Sequence, residues 1–294
     1  MGEKIEPTPQ PQEEPKMNSG SGKLQYEIMA FEEYAEKQHN PIYVYEIKFD
    51  DKRITFFGSE HSYQPEKPMF KDIETKFKEA NPQIVFVEGM HFGEDQKEQL
   101  IEEMKKADTE EVIKKWGESG FAFKLAADAR VDVESPEPDL KEEIQYLLEQ
   151  RFTKEEIFAY YGHRQANSYH LMSKETPIEE YLTSFIKYFK KDTNWNDFNY
   201  SIDHLKQIGK RIWDKRGDLS KKDELRTNPV PYKSKRGKFN NINRISQQSS
   251  YFRDRFMIQK IEEAMKKNDR LFIVFGSTHA FIQEPTLRKL FEKK

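Results

Sequence analysis

The feature that most restricts what this chain can fold into is its last strand-like run, Leu271-Phe-Ile-Val-Phe275, which follows a long stretch of purely helical patterning. A sheet begun before that stretch and finished after it belongs to one domain that its C-terminal part closes. Before the stretch, strands and helices alternate. A hairpin is predicted over Ile42–Phe49 and Arg53–Phe57, turning at Asp50-Asp51-Lys52 and ending at Gly58. Pro68–Ala80 spaces Phe70, Ile73 and Phe77 at helical intervals and stops at Asn81-Pro82. Ile84–Val87 reads as a buried strand. Helical patterns follow over Gln96–Lys115 and around Phe121–Ala129, then a short strand at Val131–Val133 closed by Ser135-Pro136.

Residues Leu140–Leu225 hold several helical patterns and no strand, among them Lys154–Met172 and Ile178–Phe189, and a helix over Ser249–Lys267 leads into the last strand. The expected fold is therefore α/β: a central mixed, mostly parallel β-sheet flanked by helices, with a helical insertion before the last strand. Residues 1–23, rich in Pro and Glu and nearly free of apolar side chains, read as a disordered tail. Residues 24–294 read as a single domain, with the insertion over 140–226 and a basic loop over 227–248. That loop carries Lys233, Lys235, Arg236, Lys238 and Arg244 and no acidic residue between Asn228 and Gln248, which reads as a solvated run.

Composition narrows the chemistry. With no cysteine, thiol catalysis, disulfides and Cys-ligated metals are excluded. Forty-nine basic against 52 acidic residues leave a net charge of -3, which gives no field to collect nucleic acid or anionic lipid. Although 34% of the residues are charged, 22 Phe and 14 Tyr supply enough apolar area for a core. No apolar run approaches the roughly 18 residues of a membrane span, and the N-terminus lacks the apolar segment of a signal peptide. The compartment stays open, as does the oligomeric state.

Two strands end in near copies of one phrase, Ile54-Thr-Phe-Phe-Gly-Ser-Glu-His61 and Phe272-Ile-Val-Phe-Gly-Ser-Thr-His279. In an open α/β sheet the ligand crevice lies outside the carboxyl ends of the strands, so both imidazoles are expected to project into it. Glycine permits a sharp turn there, and the small Ser59 and Ser277 let the backbone pass close to a ligand. A third strand delivers Glu88 to the same edge, directly after four apolar residues, where a carboxylate must be paired, protonated or bound to a cation. Glu134, at the end of the next strand, repeats the arrangement more weakly. Arg253 and Asp254 lie on the helix before the last strand, expected near its first turn, where a guanidinium can hold a carboxylate, a phosphate or an oxyanion. His91 follows Glu88 closely enough to join the site, whereas His39, His163, His170 and His204 stand outside any strand-end context. No Gly-rich phosphate loop, Gly-x-Ser-x-Gly elbow or His-Glu-x-x-His helix is present.

Taken in order, Gly58-Ser-Glu-His61, Val87-Glu88-Gly89, Arg253-Asp254 followed by Met257, and Gly276-Ser-Thr-His279 resemble the motifs of the TraB/TIKI superfamily. That group is related to ChaN-like haem-binding proteins and erythromycin-esterase-like hydrolases. The resemblance spans Tyr43 to His279. It implies metal-dependent peptide hydrolysis, with His61, Glu88 and His279 near a divalent cation such as manganese or cobalt and Arg253 touching substrate or oxyanion. Glu60 before the first histidine and Glu88-Gly89-Met90 in place of Glu-Leu-Asp put the chain in a divergent branch.

The leading expectation is thus a metal-assisted hydrolase of an amide or ester bond in a peptide or small molecule. Its cation would be held by His61, Glu88 and His279, with Glu60 as general base, Arg253 at the oxyanion, its neighbour Asp254 counted with them among the catalytic residues, and Ser59, Ser277 and Glu134 lining the substrate. Nitrogen and oxygen donors suit manganese, cobalt, zinc and iron about equally. A second expectation drops the metal and makes His61 or His279 the base, oriented by Glu88. A third is a ChaN-type protein that binds a flat ligand such as haem without catalysis.

Overall fold

A computed structural model describes residues 26–90, 94–171, 176–232 and 239–292. The predicted tail over 1–23, His91 and the Lys233, Lys235, Arg236 and Lys238 part of the basic loop lie outside these residues. In chain order the elements are α1 (Phe31–Tyr34), β1 (Tyr43–Phe49), β2 (Lys52–Ser59), α2 (Pro68–Ala80), β3 (Ile84–Val87), α3 (Glu94–Lys106), α4 (Thr109–Ala129) and β4 (Asp132–Glu134). Then come α5 (Leu140–Glu149), α6 (Lys154–Leu171), α7 (Ile178–Thr193), α8 (Ile202–Trp213), α9 (Asn241–Lys267), β5 (Arg270–Gly276) and α10 (Ser277–Phe291).

The protein is α/β, with a mixed, mostly parallel sheet in the order β1-β2-β5-β3-β4. Only β1 runs antiparallel, paired to β2 through the predicted hairpin, whose turn puts Asp50 in the left-handed region. β5, last in sequence, lies in the middle of the sheet, parallel to β2 on one side and β3 on the other. Alternation along the strands sends Phe57, Val85, Val87, Phe272 and Val274 to one face, under α2 and α4. Ile54, Phe56, Phe86, Leu271 and Ile273 go to the other face, under α9 and α10. The helices before β5 bring a core of their own, in which Leu147, Ile157, Phe158, Phe189, Leu205, Ile242 and Ile245 are buried. Among the described residues no helix is long and apolar enough to cross a membrane.

Local sequence explains most boundaries. Pro68 opens α2, because its missing N–H would be unpaired there anyway, and Asn81 ends it in the left-handed region. The single helix expected over Gln96–Lys115 is two, since Asp108 leaves the helical conformation and its side chain caps α4 through the N–H groups of Glu110 and Glu111. α4 in turn is broken at Gly117 (φ 62°, ψ -148°). The expected loop over 227–248 gives way to helix from Asn241, because Asn240 and Asn243 form a reciprocal capping box and Ile242 and Ile245 enter the core. Arg244 therefore sits on a helix, and Arg253 lies in the middle of one of 27 residues rather than in its first turn. Likewise the second Gly-x-x-His phrase is the entry to α10 rather than an open turn, with His279 in the first helical turn.

Gly58 is required for close approach rather than for a turn. A Cβ there would stand 2.6 Å from the Tyr43 carbonyl oxygen, 2.7 Å from the Ala280 Cβ and 2.9 Å from the Ser277 Cα, so β1, β2 and α10 are locked together at that point. Two of these atoms belong to backbone and cannot swing aside. Gly58→Ala is expected to destabilise the fold by roughly 1 to 3 kcal/mol, read as a lower denaturant midpoint at unchanged slope. An unchanged midpoint would mean that the packing here is looser than described.

Candidate active site

Strand register decides which side chains meet. Ser59 of β2 lies opposite Gly276 of β5, and Val87 of β3 lies opposite Val274, so the three parallel strands end almost level. Glu88, Gly276 and the Ser59-Glu60-His61 segment leave the sheet at one edge. β4 stops lower: its Glu134 pairs with Phe86, and it remains half-buried below that edge.

Both histidines use the same device. The Nδ1 of His61 is 2.6 Å from Oε1 of Glu118, and the Nδ1 of His279 is 2.6 Å from Oδ1 of Asp254. In each ring Nε2 is left on the side of Glu88. The His279 Nε2 stands 3.9 Å from Glu88 Oε1. A Cβ on Gly276 would fall 3.2 Å from the His61 Nε2 and 3.4 Å from Glu88 Oε2, so these two atoms flank one backbone point and glycine is what leaves room for them. Glu88 thus lies between the two imidazoles. Its Oε2 accepts the Gly276 N–H at 2.7 Å, and its Oε1 faces Arg253 at 3.3 Å.

Arg253 is committed on two sides. Its Nε donates to Glu137 Oε1 at 2.9 Å, its Nη2 contacts the same carboxylate, and its side chain is 10% exposed. Glu137 also accepts the Gly89 N–H, at a residue held in the left-handed region (φ 73°). Arg253 therefore touches the centre through Glu88. Removing one partner from a buried pair of this kind costs about 3 to 5 kcal/mol.

Other expected residues divide clearly. Asp254, 1% exposed, is the orienting carboxylate of His279, and Gln283 donates to the same oxygen at 2.7 Å. Ser59 is buried and binds inward, donating to the Phe275 carbonyl at 3.1 Å and approaching Glu118 at 3.4 Å. Glu60 is paired with Lys67 at 2.8 Å. Ser277 is half-buried at the first position of α10. Two members were not singled out in the sequence, Glu118 and Glu137. Glu118 sits in Gly117-Glu-Ser-Gly120, where glycines interrupt a helical pattern, and the break at Gly117 is what turns it onto His61 and the Ser62 N–H. A Cβ on Gly117 would lie 2.9 Å from the Ser62 carbonyl oxygen.

The electrostatics follow from this geometry. The Glu118 hydrogen bond, against a smaller effect of burial, pushes the His61 imidazole up to about 9. Burial opposes charge on His279, but the Asp254 and Glu88 carboxylates together outweigh it and raise that ring as well. Burial alone would raise Glu88; the positive fields of His61, His279 and Arg253, with the Gly276 N–H, instead hold it well below the ordinary carboxylate range. His61 keeps 57% of its side chain exposed, so solvent screens its pair in part.

Carboxylate on Nδ1 with Nε2 left available is the arrangement of metal-ligating histidines. Two ligands bound at roughly 2.1 Å to one ion stand about 3 to 4 Å apart, a range that includes the 3.9 Å between His279 Nε2 and Glu88 Oε1. His61 is the outlying donor: among the described residues no three His, Asp or Glu side chains converge closely enough to hold an ion as they stand.

Because the folded His61 is raised above its ordinary 6.5, its pair with Glu118 stabilises the fold fully below about pH 6.5 and loses that contribution as pH rises through about 9. In metal-free protein, NMR titration of the ring is expected to give a midpoint near 9, falling towards 6.5 in Glu118→Gln. A wild-type midpoint already near 6.5 would contradict the pairing. Compared with known proteins, the chain matches no protein-family model, no curated protein and no solved structure.

Proposed function

We propose that the protein is a hydrolase of amide or ester bonds, of the metal-assisted kind that its likeness to the TraB/TIKI superfamily implies. The observation that carries this is a charge surplus at one sheet edge. Glu88, Glu118, Glu137 and Asp254 meet there with Arg253 as the fixed cation, and Arg253 is taken up by Glu137 and Glu88. Two protons on the imidazoles or one divalent cation would offset most of the negative charge that Arg253 leaves.

His61, Glu88 and His279 are the residues that would hold such a cation, and when bound it supplies a water of lowered pKa and an electrophile for the substrate carbonyl. The chain's own groups do the rest. Glu118 and Asp254 fix each ring so that Nε2, not Nδ1, faces the reacting space. Alone, His61 retains its proton up to about pH 9, so it gives up that proton in the neutral range only with further positive charge beside it. Glu88, held ionised by its neighbours, accepts a hydrogen bond from an attacking water. An imidazole whose Nε2 is not holding a cation can, when protonated, return a proton to the leaving group.

One observation favours a metal-free version of the same hydrolysis: both Glu88 oxygens already have partners, the Gly276 N–H and Arg253. His61 with Glu118 is then the base, and its activity should appear only on the alkaline side, towards its raised pKa.

Activity against 4-nitrophenyl acetate and a mixed fluorogenic peptide pool tests the proposal. Glu118→Gln, which keeps shape and removes the charge orienting His61, is expected to lower kcat/KM by about a hundredfold with folding retained. Exhaustive chelation should abolish turnover and a divalent cation restore it. Turnover that survives chelation selects the metal-free version; near-normal turnover in a folded Glu118→Gln protein removes His61 from the chemistry.

A further inference from the structure

Behind His279 stands a buried amide to which the chemistry above gives no part. Gln283 follows His279 by one helical turn on α10, so both side chains leave the same face of that helix, and both reach α9. Gln283 is fully buried. Its Nε2 donates to Asp254 Oδ1 at 2.7 Å and to Met257 Sδ at 3.2 Å, so the amide spans adjacent turns of α9. Asp254 decides which way the amide faces. Turned over, it would set Oε1 against a carboxylate oxygen; as it stands, Oε1 is buried and accepts nothing. An orphaned amide carbonyl costs stability, so packing alone does not account for glutamine at this position.

The donors to Asp254 enter at one oxygen. Its Oδ1 accepts from the His279 Nδ1–H at 2.6 Å as well as from Gln283, while Oδ2 is buried without a partner. Held by His279 alone, the carboxylate would be free to exchange its two oxygens by turning about its Cβ–Cγ bond, and the ring would follow it. The other histidine has the same support built from different parts: Glu118, which holds His61, is itself held by the Ser62 N–H at 3.2 Å. Each orienting carboxylate therefore takes a second donor, from the chain next to His61 in one case and from Gln283 in the other. We propose that Gln283 is a positioning residue for His279: by fixing Asp254 Oδ1 it fixes the direction in which the His279 Nε2 faces Glu88. Its importance for turnover rests on the hydrolase proposal; the clamp itself does not.

Imidazole NMR of the metal-free protein, labelled with nitrogen-15 at histidine, tests the clamp without reference to activity. Wild type is expected to show a downfield Nδ1–H signal for each of His61 and His279, because each is bonded to a carboxylate. In Gln283→Leu, which keeps a similar volume and removes the donor, the His279 signal is expected to broaden or vanish while the His61 signal stays as in wild type. An unchanged His279 signal in a folded Gln283→Leu protein overturns the proposal, and so does loss of both signals together, which would mark a general loosening of the fold. Gln283→Met repeats the test should the leucine variant not fold. Should neither fold, wild type decides: Gln283 side-chain amide protons that exchange with water as fast as those of an exposed glutamine reject the clamp. In kinetics with 4-nitrophenyl acetate, Gln283→Leu is expected to lower kcat by about tenfold or more and leave KM within about twofold, since the ring is misdirected and no substrate contact is removed. Unchanged kcat beside a lost His279 signal would overturn the link from clamp to turnover. A lost His279 signal in the variant, with no hydrolysis by wild type of any ester or peptide, would sink the hydrolase reading and leave the clamp standing.

Discussion

Everything at the site depends on β5 pairing in register between β2 and β3. That insertion brings Gly276 level with Ser59 and sets Glu88 one residue beyond the Val87 and Val274 pair. Because side chains alternate along a strand, a slip by one residue would exchange the side chains that β5 sends to its two buried faces and carry Gly276 away from His61. Main-chain pairing and the apolar rows Leu271, Ile273 and Phe272, Val274 therefore fix the geometry of polar groups that could not assemble by themselves. Being last in the chain and central in the sheet, β5 completes two ladders at once.

On that edge the protein holds carboxylates beyond the number its fixed cations balance, and each histidine is tied to one of them. Coulombic repulsion among Glu88, Glu118, Glu137 and Asp254 would oppose folding were it not offset by Arg253, by the imidazoles and by the Gly276 and Gly89 N–H groups. The Asp254 Oδ2 and the Gln283 Oε1 are nonetheless buried without a partner, so the cluster is not optimised for stability alone. Such an edge is sensitive to protons and to cations, and both act on the same two rings.

The sheet was legible in the sequence because its signals are local. Pro68 and Asn81 bound α2 as expected, Ile84–Val87 is a strand of that length, and apolar runs mark β2 and β5. The matched Gly-Ser-x-His phrases and the Glu after β3 could be placed on one edge for the same reason, since strand ends in a parallel sheet share a side. Glu118 and Glu137 could not, because their importance comes from what lies opposite them in space. Glu118 is one acid in an amphipathic helix until the break at Gly117 turns it towards His61, and Glu137 follows a Ser-Pro turn whose direction only the packing of α9 decides. The polar run before Ser249 concealed the start of α9 because asparagines that favour loops also cap helices, as Asn240 does here. The longer helix is what moves Arg253 from the expected first turn to the middle.

The central claim is that His61 and His279, each held through Nδ1 by a carboxylate, converge on Glu88. A crystal structure at a resolution that orients imidazole rings, grown with manganese, tests this most directly. The account predicts Glu118 and Asp254 within hydrogen-bond distance of the two Nδ1 atoms, with Glu88 between the two Nε2 atoms whether or not an ion is found there. A His61 ring turned into solvent, with Glu118 bonded elsewhere and Glu88 paired to Arg253 alone, would contradict it.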